Sequence, residues 1–281
     1  MNRLRLLAIL AALAVLASIG AGSATSATAA SAASAKATIS MSGSTSIAPL
    51  ATKLITSALQ RSPFKGRVRF RLLQGGSDVG INDVSKGRVS IGLSSRDPKP
   101  ADPPGVVFNK IARDAVCVVT HRSNPLSNLS QGQIQDIFSG RIRSWSRVPG
   151  ARVSGTIDLI VRTPASGTQD AFQNIFMGEA LRVAGSATTK ASNGLQAQAI
   201  RSNPNAIGYA SFNFTKGLHD VPYRGVRCNL RNAKAGTYGG ARNFFMVTRG
   251  PARGAVKAFI RFIRRSPAAK SVTQTNWVPL R

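Results

Sequence analysis

From residue 37 onward, short apolar runs alternate with stretches of helical periodicity. Thr38 to Met41 predicts a strand, followed by Ser-Gly-Ser-Thr-Ser and a helix over Ile47 to Gln60, with Pro49 near its start, where a missing N–H costs little. Arg67 to Leu72 alternates basic and apolar residues like a half-buried strand and leads through Gln74-Gly-Gly-Ser77 into a short helix over Val79 to Lys86. Val89 to Leu93 is a further strand, and the Pro-rich segment from Asp97 to Gly105 is a loop. Val106 to His121 reads as two strands separated by Asn109-Lys110. Helices are expected over Ser130 to Phe138, Gln169 to Phe176 and Leu195 to Ser202, and strands over Ile157 to Val161, Ala206 to Ala210 and Asn243 to Thr248. Gly254 to Arg265 reads as the last helix, with Val256, Phe259, Ile260 and Ile263 on one face and Arg253, Lys257, Arg261 and Arg264 on the other. No period of 20–50 residues repeats. The alternation predicts an α/β protein with mixed, mostly parallel sheets.

The first 35 residues have a different pattern. Arg3 and Arg5 precede an apolar run from Leu6 to Ile19, and a small-residue stretch ends in Ala33-Ser34-Ala35. The run is short of the ~20 residues that span a bilayer, so 1–35 is expected to be a cleaved secretory signal, with Ala29 an alternative cleavage point. No cysteine follows the apolar run, so no lipoprotein anchor is expected.

Charge changes the picture more than size does. The 281 residues carry 38 Lys+Arg against 10 Asp+Glu, a formal charge of +28, and the leader removes only two of the cations. Such a surplus points to anions, from phosphate to nucleic acid, polyphosphate or acidic wall polymer. With two His, two Cys and one Glu (Glu179), a zinc site or a disulfide scaffold has too few ligands. No metal and no cofactor is expected. Export permits one disulfide, Cys117–Cys228; two separate buried thiols remain the other reading.

The candidate chemistry is a junction type that recurs three times. Ser44-Thr45-Ser46, Gly75-Gly76-Ser77 and Ser166-Gly167-Thr168 each follow a strand and open a helix. Helix N-termini hold unsatisfied N–H donors, and small hydroxyl residues let an anion approach them while adding donors of their own. Arg162 lies four residues before Ser166, and its planar fork can take two oxyanion oxygens at once. Catalytic patterns score poorly. G-x-S-x-G and the P-loop pattern do not occur, Ser62-Pro-Phe-Lys65 lacks its companion motifs, and His121 and His219 have no nucleophile or ligand cluster beside them. Binding without catalysis is expected.

Gly43-Ser-Thr-Ser-Ile-Ala-Pro49, Gln74-Gly-Gly-Ser77, Val89-Ser-Ile-Gly-Leu-Ser-Ser-Arg96, Asp136-Ile-Phe-Ser-Gly140 with Trp145, Arg162-x-x-x-Ser-Gly-Thr168 and Ala206-Ile-Gly-Tyr209 occur in this order. Together they resemble the periplasmic phosphate-binding proteins of bacterial phosphate ABC transporters. The resemblance implies a two-lobed type II periplasmic-binding-protein fold, with crossings near Ala115–His121 and Asn243–Arg249. Lobe I would be 38–116 plus 245–281, and lobe II 117–244. It implies phosphate contacts at Thr45, Ser46, Ser77, Ser95, Arg162, Ser166, Gly167 and Thr168, with Ser44 alongside, and a monomer serving an ABC permease. Ser95 stands where well-known members carry an Asp that accepts the proton of hydrogen phosphate, as in Gram-positive-like relatives with Ser-Ser-Arg. Asp97 and Asp78 are the nearby carboxylates that could substitute, and Arg96 either adds attraction or points to solvent. A Ser at that position discriminates less against sulfate than a carboxylate does.

Overall fold

A computed structural model describes residues 36–280; the expected signal segment lies outside them. The first half of the chain contributes β1 (Ala37–Gly43), α1 (Ala48–Leu59), β2 (Val68–Leu72), α2 (Ser77–Ser85), β3 (Ile91–Ser94) and the long β4 (Val106–Thr120). There follow α3 (Gln131–Phe138), β5 (Asp158–Arg162), α4 (Gly167–Phe172, extended by a π turn over Gln173–Met177), β6 (Thr188–Lys190), α5 (Asn193–Arg201), β7 (Ala206–Ser211) and β8 (His219–Asp220). The chain closes with α6 (Leu230–Ala235), β9 (Ala241–Arg249), α7 (Gly254–Arg265) and α8 (Pro267–Asn276).

The local reasons are visible at the helix starts. Ser130 caps α3 in a reciprocal capping box with Gln133, Ser192 caps α5, and the Ser166 hydroxyl accepts from the N–H groups of Thr168 and Gln169 to start α4. At Ser266-Pro267 the proline occupies the first turn of α8, so the chain breaks after α7 and restarts. This helix contradicts the expectation that α7 ends the helical part: α8 has no long apolar stripe and buries only Ala269 and Thr273.

The strands run in the order β2-β1-β3-β9-β4-β7-β5-β6, with β8 beside β4. The pairs β1–β2, β1–β3, β5–β6 and β5–β7 are parallel, as the alternating pattern predicts. Each antiparallel pair involves β4 or β9, so parallel pairing is not the majority among the described strands. The two strands expected between Val106 and His121 are one. Its pairing to β9 shifts between Lys110 and Ala112, and the Asn109 side-chain amide donates to the Met246 carbonyl, so a polar pair is absorbed without breaking the strand.

β4 joins the two lobes. It pairs with β9 up to Ala115 and with β7 from Val116 onward. One hydrophobic core gathers Ile39, Leu54, Phe64, Phe244, Phe259 and Trp277, a second gathers Val118, Phe138, Trp145, Phe172, Phe176 and Tyr209, and a smaller third cluster holds Ile81, Val84, Val89, Phe245 and Val247. α7 buries Phe259 against Phe64 and Phe70 and leaves its arginines to solvent. In the second core the Sγ atoms of Cys117 and Cys228 are bonded, which decides between the two cysteine readings. The tail returns beyond its own core: Arg113 N donates to the Val278 carbonyl at 2.8 Å, and Val278 packs into the second core.

Candidate functional site

The hydroxyl-rich turns after β1, before α2 and before α4 converge where the two lobes meet. Ser44 Oγ donates to Ser95 Oγ (2.8 Å), Ser77 Oγ lies 3.3 Å from Ser95 Oγ, and Ser95 N donates to Ser77 Oγ (3.0 Å). Across the cleft, Ser46 Oγ meets Thr168 Oγ1 at 2.9 Å. Gly167 lets this approach happen: a Cβ there would sit 2.3 Å from Ser77 Oγ and 2.7 Å from Ser95 Oγ. Gly76 is similarly tight, its added Cβ meeting the Ala165 carbonyl at 2.7 Å.

Donor accounting shows what this cluster can still bind. Asn193 Nδ2 donates to Ser46 Oγ (2.8 Å) and to Thr45 Oγ1 (3.0 Å), and Arg242 Nη2 donates to Ser46 Oγ (2.9 Å). With both acceptor positions of Ser46 taken, its own hydrogen goes to Thr168. The hydroxyl hydrogens of Thr45, Thr168 and Ser166 are then left to give. An assembly of aligned O–H donors without a matching set of acceptors suits an oxyanion.

Two guanidinium groups supply the charge. Arg162 is 2% exposed; its Nε donates to the Lys190 carbonyl and its Nη2 to the Ala191 carbonyl, while Nη1 is buried without a protein partner. Among the described residues no carboxylate pairs with it. Burial pulls its pKa down to about 10, and the positive charge of Arg242 pushes the same way, against Tyr209. It stays protonated at neutral pH, and a nearby anion would relieve it. The Tyr209 hydroxyl accepts from Arg162 N (3.0 Å) and donates to Gln169 Oε1; burial raises its pKa.

Arg242 has a counterion. Its Nε and Nη2 donate to Asp114 Oδ2 at 3.1 and 2.8 Å, and Ser211 Oγ donates to the same oxygen at 2.8 Å. Burial pushes the Asp114 carboxyl up, and Arg242 holds it back. The central site therefore combines two buried cations with one buried carboxylate, a net positive hole in a low-dielectric setting.

The structure thus brings together Ser44, Thr45, Ser46, Ser77, Ser95, Gly167 and Thr168, with Ser166 capping the same helix and Arg162 at the end of β5. It does not bring Arg96, Asp78 or Asp97 into the hydroxyl cluster. Arg96 Nε donates to Asp78 (2.7 Å) and Nη2 to Asp102 (2.5 Å), so its charge is offset within its own lobe. Asp97 is exposed and accepts from Asn243 Nδ2 at 2.8 Å. Beside it Lys99 forms an ion pair with Asp170 of α4, and Asp97, Asp170 and Asn243 line a hollow of about 160 Å³. His121 meets Ser123 Oγ at 2.7 Å in an exposed turn, and His219 Nε2 lies 2.7 Å from the Leu126 carbonyl; both contacts are local to loops.

Arg242, Asp114, Asn193 and Ser211 escaped the sequence reading. Asp114 carried one usable signal, an acid directly before the apolar run Ala115 to Val119. Arg242 and Asn193 sit at ordinary strand and helix starts and give none.

The PBP superfamily domain profile matches residues 28–266. The chain belongs to the PBP superfamily. Its relatives in that superfamily include the phosphate-binding protein PstS of Bacillus subtilis, 25% identical over 249 residues that cover 86% of this chain and 81% of that protein. Among solved structures, a Clostridium perfringens protein described as a phosphate ABC transporter substrate-binding protein, with bound phosphate, superimposes with a TM-score of 0.80 at 29% identity, covering 87% of this chain and all of the other. An ABC-type phosphate transport receptor from Vibrio cholerae gives 0.69 at 26% identity, covering 86% and 100%. The two-lobed type II fold is shared with these PBP-superfamily structures. Among the described residues no helix is long and apolar enough to cross a membrane.

Proposed function

We propose that this chain is an exported, non-catalytic solute-binding protein that captures inorganic phosphate between its lobes and delivers it to an ABC-type permease. The observation that carries the reading is Arg162: a buried guanidinium that has no acidic partner among the described residues and an unpartnered Nη1, next to a group of hydroxyl donors. The phosphate ligands in this reading are Thr45, Ser46, Ser77, Ser95, Arg162, Ser166, Gly167 and Thr168, with Ser44 behind Ser95. Arg242 adds a second positive charge through Ser46. Arg96 with Asp78 stiffens the first lobe, and Asp97 sits at the cleft mouth. Lobe I is 38–116 with 245–281, and lobe II is 117–244; most residues of the two larger cores fall on this division, while Ala115, Val116 and Val278 pack into the second core and Phe244 into the first.

In this mechanism the anion bridges the lobes, because the turns after β1 and before α2 belong to one lobe and the α4 turn to the other. Ligand contacts made only when both lobes engage favour the closed state. Export rests on the pattern of residues 1–35, and monomeric action on the completeness of the site within one chain.

Calorimetry of the purified chain with phosphate, sulfate and arsenate tests the reading. Phosphate is expected to bind tightly with one-to-one stoichiometry. Sulfate is the competitor to watch, because the hydroxyl of Ser95 can donate as well as accept. Tight sulfate binding without phosphate binding would overturn the assignment.

A further inference from the structure

Most of the cationic surplus lies away from the cleft, and one part of it surrounds a concavity. The hollow has a volume of about 680 Å³ and is lined by Lys110 and Arg113 of β4, Lys234 of α6 and Lys270 of α8, with Gln274 and the tail residues Val278 to Leu280. A second hollow of about 390 Å³ shares Lys270, Pro279 and Leu280 with the first and adds Arg264 and Arg265 from the end of α7. No Asp or Glu is among the residues that line either one. None of the six cations takes part in an ion pair among the described residues. Lys234 Nζ donates to the Gln274 carbonyl at 2.7 Å, which holds its ammonium at the rim.

Like charges gathered in a concave wall reinforce one another's field, since the low-dielectric protein behind them focuses it into the hollow. The arrangement costs stability through repulsion unless an anion offsets it. Each hollow falls within the ~300–1,000 Å³ usual for small-molecule sites. The two adjoin at Lys270, Pro279 and Leu280, and their cations come from four elements, β4, α6, α7 and α8. A single phosphate would engage only part of this set. A flexible chain carrying several phosphates can extend from one hollow into the next and meet Lys point charges and Arg forks in turn.

We propose that these adjoining basic hollows are a second anion site that binds linear oligophosphate, distinct from the hydroxyl donors of the cleft although Arg113 also lines the hollow beside Asp97. It does not depend on what fills the cleft.

The test uses the full mature chain, with tripolyphosphate and a longer inorganic polyphosphate as probes, titrated at low salt in the presence and absence of saturating orthophosphate. Binding of both probes is expected to persist with orthophosphate present, to be tighter for the longer chain, and to weaken steeply as salt rises. Lys234→Gln combined with Lys270→Gln should weaken it by about tenfold or more, while orthophosphate binding stays as in the parent. The control pair Lys65→Gln and Lys216→Gln removes the same charge from exposed positions elsewhere. Equal loss in that control would mean diffuse attraction and would overturn the site. So would loss of all tripolyphosphate binding when orthophosphate is added, which would place both ligands in the cleft. Sedimentation with phosphatidylglycerol vesicles that is sensitive to Lys234 and Lys270, without polyphosphate binding, would overturn it in favour of a lipid surface.

Discussion

Ser46 and Thr168 lie 122 residues apart in the chain, and their hydroxyl oxygens lie 2.9 Å apart. One comes from the turn after β1 and the other from the first turn of α4. Their contact is the point where two helix-opening turns from different lobes become one donor surface. What that surface can bind depends on which hydrogens the protein itself consumes. Asn193 and Arg242 saturate Ser46 and leave Thr168 free to donate outward.

Arg162→Ala should lower phosphate affinity by about 100-fold or more, since a charge-assisted fork contributes several kcal/mol to an anion in a buried site. Arg162→Lys should recover only part of it, because an ammonium cannot present two parallel N–H groups. Calorimetry checks both, and an unchanged titration for the alanine variant refutes the ligand assignment.

Gly167→Ala isolates lobe closure from folding. Its Cβ would enter the space held by the Ser77 and Ser95 hydroxyls, across the cleft from α4, whereas alanine is a better helix former than glycine within α4 itself. The expected outcome is phosphate affinity weakened by about tenfold or more with little change in the unfolding midpoint of the free protein. Small-angle scattering with phosphate should show a less compact chain than the parent; an identical profile and affinity would sink the idea.

Arg242→Met should destabilise the protein by about 3–5 kcal/mol, because it leaves the Asp114 carboxylate buried and uncompensated. Asp114→Asn in the same chain should restore most of this loss, since the amide keeps an acceptor for Ser211. Urea unfolding of the single and double variants provides the comparison. If the double variant is no more stable than Arg242→Met, the cost arises from lost packing instead.

A pH dependence follows from Asp220. Burial raises its carboxyl to about 6 from an ordinary 3.8, with a hydrogen bond from Thr215 pulling the other way. The folded chain therefore holds this proton more tightly than the unfolded chain does. Its contribution is fully present below the unfolded value, is lost as pH rises through 6, and is a constant penalty above that. Asp220→Asn should stabilise the protein by roughly 1–3 kcal/mol at pH 8 and leave it unchanged near pH 3. Equal stability of parent and variant across that range would refute this account.

The disulfide closes a loop with a sequence separation of 111 residues. Chain-entropy arguments assign such a closure about 4–5 kcal/mol. Cys117→Ser with Cys228→Ser should lower the melting temperature markedly and leave phosphate affinity intact, because both cysteines lie in the second core and not among the cleft donors. Differential scanning calorimetry under non-reducing conditions measures the shift.

Much of the site was legible because its chemistry is local. A hydroxyl cap, a glycine and the first helical N–H groups occur within three or four residues, so Ser44-Thr45-Ser46, Gly76-Ser77 and Ser166-Gly167-Thr168 reveal themselves by spacing. The helix over Gly254–Arg265 was readable to the residue because its apolar stripe is continuous, whereas α8 lacks one. The sequence leaves Arg96 open between adding attraction and pointing to solvent, and its direction is set by Asp78 and Asp102.

By itself the sequence determined the α/β alternation, the three anion-suited turns, the arginine at the end of β5 and the cationic surplus, because propensity, periodicity and capping act over a few residues. Only the tertiary structure decided that Asp114 neutralises Arg242 and not Arg162, that Gly167 faces Ser77, and that Cys117 meets Cys228. Those outcomes depend on which strands pair across the sheet and how closely two lobes approach, and no local pattern encodes distances between residues a hundred positions apart.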